Sequence, residues 1–238
     1  MELFDSMFHE VRQCCEQLNF HGLSRTYILN DKRAWPRNDK NHVILADDTA
    51  IDLGHPQTES LAFMLWTESM DKVEDGRITI IGSDLPKIRD KKVPFGKITL
   101  LRCHGINEDN AYDTYAELDM VRYKLNIDDY MLRALPQNMR EWSRVSKKGL
   151  DSGFSLQVLG SELIHDYKQL EYVDAAEIIF ITSSVEDIRR LKPIGEKTTR
   201  IIEAMNKIFD GMDNDCNSCS FRDVCNEIDG LKLLHNKT

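Results

Sequence analysis

The sequence lacks several things, and each absence narrows the field. No apolar run approaches the roughly 20 residues that a membrane-spanning helix requires, so no membrane association is expected. There is no excess of positive charge. Lys and Arg number 31 against 40 Asp and Glu, a formal net charge of -9, which argues against nucleic acid as a partner because phosphate affinity needs a basic face. The opening MELFDSMFHEVRQCC has neither the basic stretch nor the apolar stretch of a secretory leader, and a cytoplasmic location is expected. Proline and glycine are sparse, at 6 and 12 of 238 residues, and neither low-complexity tracts nor internal repeats occur. What remains is a chain with 41% hydrophobic and 30% charged residues, enough apolar side chains for a real core.

Residues 2–19 carry Leu3, Met7, Val11, Cys14 or Cys15, and Leu18 at helical spacing, which predicts an amphipathic helix. The polar stretch 30–40 around Trp35-Pro36 predicts a loop. Short β-rich runs follow at 42–46, 61–66, 77–81 and 97–101, separated by glycines and prolines as strands joined by turns are. Gly54-His55-Pro56 reads as a turn after an Ile-Asp-Leu strand end. Helical patterning then takes over at 107–123 and 161–170. The apolar run 176–182 predicts a buried strand, and Ser183 with Glu186 three residues on predicts a capped helix start. Pro193 is expected to break that helix, with a second one over 196–209. The expected fold class is α+β (mixed α/β): a central mixed sheet with helices and a C-terminal cysteine-rich metal-binding segment. Its expected parts are an N-terminal helix and loop over 1–40, an α/β domain over 41–210, and the cysteine-rich segment over 211–238. The topology does not follow from the pattern.

Three of the six cysteines crowd into the last 23 residues. Cys216, Cys219 and Cys225 form C-x2-C-x5-C, a spacing that turns two thiolates toward one centre and adds a third a short loop later. His235, ten positions beyond Cys225, is a candidate for the fourth corner, or else a surface histidine near a fraying end. Such a set fits an iron–sulfur cluster and fits tetrahedral zinc equally well; three free thiols are the plainest alternative. Cys14 and Cys15 are adjacent on a helix and ill placed to share a metal. Cys103-His104 could form a nucleophile–base pair, but strand neighbours point to opposite faces.

A second cluster lies at 137–148. As a helix it would line up Arg140, Arg144 and Lys147 or Lys148 on one face and set Trp142 and Val145 on another. A basic face on an acidic chain suits an anionic ligand, since guanidinium matches phosphate geometry; a solvated face with Trp142 as a core anchor is the simpler alternative.

Three stretches taken together resemble one known family. Asp75-Gly-Arg-Ile-Thr-Ile-Ile-Gly-Ser-Asp84 is followed by Val93-Pro-Phe-Gly96. Arg140-Glu-Trp-Ser-Arg-Val-Ser-Lys147 is followed by Gly153-Phe-Ser155, and the cysteine set closes the succession. The order and separation resemble the acetyl-CoA synthase (beta) subunit of carbon monoxide dehydrogenase complexes, over most of the chain. The resemblance implies a [4Fe–4S] cluster on Cys216, Cys219 and Cys225, with zinc as the alternative, and anaerobic metabolism as the setting. It also implies coenzyme A near Trp142, with Arg140 and Arg144 on the nucleotide phosphates. The partners it implies are a corrinoid protein, a methyltransferase or a CO dehydrogenase-type subunit; a homo-oligomer is a further expectation.

The departures count as well. The family's nickel-binding Cys-Gly-Cys tripeptide is absent from this sequence, and the chain resembles the family's central domain plus the beginning of its cluster-binding domain. The function expected is therefore an accessory or electron-transfer protein rather than a complete synthase. A metal-dependent acyl or methyl transferase subunit and a zinc-stabilised regulatory domain are the alternatives.

Overall fold

Strand β4 (Arg77–Ile81) shows how the local sequence sets the frame. Gly76 and Gly82 flank it at φ of 76° and 112°, backbone conformations that other residues adopt only at a cost. At Gly82 a β-carbon would also lie 2.5 Å from the Ser183 nitrogen. Between these turns four of the five residues are β-branched, a composition that favours a strand, and the structure, a computed structural model, places them in a sheet. It describes residues 2–19, 24–29, 35–37, 44, 47–134, 139–209 and 219–235.

The main sheet has five strands in the order β1 (Ser24–Ile28), β4, β9 (Val173–Ile181), β6 (Phe95–Cys103) and β3 (Ser60–Thr67). It is mixed: β4 and β9 run parallel, as do β3 and β6, while β6 and β9 are antiparallel, as are β1 and β4. Strands β3, β6 and β9 are buried at nearly every position because both faces of the sheet are covered. Helices α1 (Asp5–Asn19) and α5 (Val185–Phe209) pack together on one face. On the opposite face α4 (Leu156–Tyr167) lies so close that a β-carbon at Gly160 would sit about 3.0 Å from Ile78 and 3.1 Å from Phe180. Helix α2 (Ala111–Lys124) contacts both α4 and α5. One apolar core runs from Leu3 and Phe4 through the sheet to Leu231 and Leu234.

A second sheet of four strands has the order β5 (Lys92–Val93), β2 (Ala50–Leu53), β8 (Trp142–Ser146) and β7 (Tyr130–Ala134). The short helix α3 (Lys147–Asp151) follows β8 directly, with the Ser146 hydroxyl accepting from the Gly149 amide at 2.9 Å. Two helices, α6 (Arg222–Glu227) and α7 (Asp229–His235), end the described chain. The class is the α+β arrangement expected.

Two expectations fail here for instructive reasons. Pro193 does not break the helix: α5 runs without interruption for 25 residues. A proline inside a helix costs about 3 kcal/mol. The buried stripe of Ile188, Leu191, Ile194, Ile201, Ile202 and Met205 runs straight through it, and each such side chain contributes roughly 1.5–3 kcal/mol on burial. Packing wins. The helix cap is also shifted by one residue. Ser184, not Ser183, accepts from the Asp187 amide, at 3.1 Å, while the Ser183 hydroxyl donates to the Asp187 carboxylate at 2.5 Å. The predicted strand 42–46 lies outside the described residues except for Ile44, and of the predicted loop 30–40 only residues 35–37 are described. Within it, Arg37 makes an isolated antiparallel bridge with Ile127.

Candidate functional site

Residues 142–146 are a strand, not the helix expected over 137–148. The deciding partner lies far away in sequence. Asp52 of β2 stands directly across from Arg144 of β8 and accepts from its guanidinium twice, Nε at 2.8 Å and Nη2 at 3.1 Å. The bidentate pair requires Arg144 to project across the strand pair, where it is 2% exposed and also donates to the Ile44 carbonyl at 3.2 Å. Trp142, two residues earlier and so on the same face, donates its indole N–H to Asp52 at 3.0 Å. Burial alone raises the Asp52 pKa. Hydrogen bonds from Arg144 and Trp142, with the charge of Arg144, more than reverse this and hold the carboxyl below its ordinary value.

Arg140 therefore shares no helical face with Arg144. It lies just before the strand, half-buried, and donates to the Thr58 carbonyl at 3.2 Å. Trp142 is half-buried as well. The His55 ring meets it edge-on at 4.9 Å, and the Arg133 guanidinium lies over its ring at 5.0 Å. The structure thus joins Trp142 and Arg144 at one carboxylate, sets the exposed Arg133 over the indole and leaves Arg140 half-buried against Thr58.

A second constellation escaped the sequence reading. Lys97 of β6 forms an ion pair with Glu141, and Glu141 is 0% exposed. The same residue is clamped by backbone: its amide donates to Ser60 Oγ at 3.0 Å, and that hydroxyl donates to its carbonyl at 2.7 Å. Tyr130 of β7 donates to the Glu141 carboxylate at 3.4 Å. Burial lowers the Lys97 pKa against the opposing pull of Glu141, and burial pushes the Tyr130 hydroxyl well up. Beside the ammonium is a cavity of about 20 Å³ lined in part by Thr99, Asp119, Arg122 and Tyr167, room for about one water molecule. The available signal was a lysine within a strand buried at nearly every position; its partner, 44 residues on, was not legible.

Cys219 and Cys225 sit on a small annex held to α5. Val224, Ile228, Leu231 and Leu234 are buried, so the amphipathic helices α6 and α7 dock by their apolar sides. Arg200 of α5 donates to the Ser220 carbonyl at 3.2 Å and to Asp223 at 2.6 Å, and Lys197 reaches Glu227 at 2.5 Å. Cys219 precedes α6 and Cys225 lies within it, both half-buried. The Lys207 ammonium is 3.8 Å from the Cys219 sulfur and 5.7 Å from the centre of the Phe221 ring. Cys216 lies outside the described residues, as does the side chain of His235, whose backbone closes α7. Among the described residues no three His, Cys, Asp or Glu side chains converge.

The other three thiols are chemically quiet. Burial pushes Cys15 and Cys103 up to about 12 and raises Cys14, which keeps all three protonated and poor as ligands or nucleophiles. His104 turns to Asp174 at 3.0 Å, so Cys103 and His104 form no pair. Cys219 and Cys225 are half-buried instead, and the Lys207 ammonium stands beside the first of them.

No helix among the described residues is long and apolar enough to cross a membrane. A search of curated proteins finds no match. The family model for the CO dehydrogenase/acetyl-CoA synthase complex beta subunit matches residues 40–187, a span that holds Asp52, Lys97, Glu141, Trp142 and Arg144 and ends before the cysteine annex. Since that span is more than half of the sequence, the chain belongs to the family of the CO dehydrogenase/acetyl-CoA synthase complex beta subunit.

Proposed function

We propose that the chain is an iron–sulfur-binding accessory or electron-transfer member of this family, docking to a CO dehydrogenase-type, corrinoid or methyltransferase partner rather than acting as a complete synthase. Cys216, Cys219 and Cys225 hold one [4Fe–4S] cluster, with His235 as the candidate fourth ligand. The observation that supports this best is the placement of Cys219 and Cys225, both half-buried, on one annex docked to α5, with the Lys207 ammonium 3.8 Å from the Cys219 sulfur, where its charge would offset part of the negative charge that thiolate ligands bring to a cluster. When bound, the cluster supplies one-electron transfer at a potential tuned by charge and exposure. In this chain Lys207 balances ligand charge, and the buried side chains of α6 and α7 hold the ligand-bearing turn against α5. The test is optical. Protein prepared without oxygen is brown and bleaches with dithionite, and Cys219→Ser or Cys225→Ser loses the colour while the far-ultraviolet circular dichroism is kept. A colourless protein carrying zinc would instead support the zinc-stabilised regulatory reading.

Coenzyme A is the second ligand proposed, at Trp142, and the exposed Arg133 guanidinium over the indole favours it. Arg140 and Arg133 supply charge for phosphate, while Arg144, committed to Asp52, orients Trp142. Calorimetric titration with coenzyme A gives saturable, salt-sensitive heat that Arg140→Ala weakens. A flat titration would retire the proposal.

A further inference from the structure

Helix α2 turns an apolar stripe to solvent. Tyr112, Ala116, Met120 and Tyr123 recur at helical spacing, and the three large ones are 38%, 43% and 49% exposed. Phe209, at the end of α5 and 40% exposed, extends the stripe through a ring contact of 5.7 Å with Tyr112. Of the helix's other apolar side chains, Ala111, Leu118 and Val121 are buried and Tyr115 packs partly buried against the core, so the stripe is in excess of what the core uses. Its order is close to palindromic about Leu118, with a tyrosine at each end and the small Ala116 across from the flexible Met120. The charges beside it are segregated. Asp113 and Glu117 lie on the N-terminal half of one flank, and Lys124 lies on the C-terminal half of that same flank.

We propose that this face binds a second copy of the chain, the two α2 helices packing antiparallel about a two-fold axis near Leu118. A two-fold interface must be self-complementary, and this stripe is. Ala116 gives the close approach that receives Met120 of the partner subunit, and each Tyr112 meets Tyr123 of the partner subunit. On the charged flank, Asp113 comes within reach of Lys124 of the partner subunit. Parallel packing would instead bring this flank against the partner's opposite flank and lose this match. The helix is 14 residues long, about 21 Å, so the buried area is small and the dimer is concentration-dependent. The inference is independent of the cluster and of coenzyme A.

Sedimentation velocity of the full chain over a wide concentration range provides the test. A monomer–dimer equilibrium is expected. Ala116→Arg raises its dissociation constant by at least about tenfold, because an anchor at the centre of an interface is lost. Asp113→Lys and Lys124→Asp each weaken the dimer, and the double exchange restores it. These sites are exposed, so thermal melts of the variants match the parent. A chain that stays monomeric throughout, a dimer indifferent to Ala116→Arg, or a double exchange no better than the singles would overturn the proposal. So would a different protein occupying this face while the chain remains monomeric.

Discussion

Lys97 meets Glu141 at the junction of the two sheets, where water is nearly excluded, whereas Lys207 and Arg200 reach Cys219 and Asp223 at the solvent edge of the C-terminal annex. Both arrangements set a cation beside an anion or a thiol, yet they do different jobs. At the junction the charges are expensive to desolvate and tolerated only because each is the other's partner. They tie β6 of one sheet to the residue preceding β8 of the other, which fixes where Trp142 and Arg144 stand. At the annex, high dielectric makes the pairs weak, and the apolar faces of α6 and α7 do most of the holding. A fixed scaffold suits the first setting; the metal centre proposed for the second would rest on a lightly held annex.

The most disruptive way to probe this difference is Glu141→Ala. It leaves the Lys97 ammonium buried without a counter-charge and should cost about 3–5 kcal/mol, read as a large fall in the chemical-denaturation midpoint. Arg200→Ala, at the exposed annex, should leave that midpoint nearly unchanged. Lys97→Met combined with Glu141→Leu should recover most of the loss, because it removes both charges together. A single Glu141→Ala variant as stable as its parent would mean the junction is wetter than its burial indicates.

A smaller effect is expected with pH. The folded Asp52 carboxyl titrates below its unfolded value, near 3.9 in model peptides. Its stabilising contribution is therefore fully present above about pH 4 and is lost as pH falls through the lower folded value. Arg144→Met removes the hydrogen bonds and charge that lower this pKa. The variant should be less stable at neutral pH, with a shallower further loss on acidification between about pH 4 and 2. Equal slopes for parent and variant would contradict the assignment.

The smallest effect is on thiol reactivity in metal-free protein. Cys15 and Cys103, pushed up to about 12, should stay unmodified by iodoacetamide at pH 8 until the chain is unfolded. Cys219 and Cys225 should be modified first, as peptide mapping would show.

How much of this was legible beforehand differs between the same two regions. Strand β4 is bounded as expected, since two glycines flank a run rich in β-branched residues. The stretch around Trp142 was misread because Arg140 and Arg144 fit a helix face as well as they fit a strand. Only Asp52, 92 residues from Arg144, separates the options, and sequence spacing carries no such information. Pro193 was given too much weight for the same reason, since its local cost is outweighed by contacts with α1 and β3 that no window of sequence contains. The cysteine spacing, by contrast, is a local signal and could be read directly, although α6 and α7 around it were not foreseen.

Iron, acid-labile sulfide and zinc, measured per chain in protein purified without oxygen, decide whether Cys216, Cys219 and Cys225 hold the cluster. Iron and sulfide in equal amounts, at about four of each, with both lost in Cys216→Ser, is the expected result. Stoichiometric zinc without sulfide, in protein never exposed to air, would contradict it.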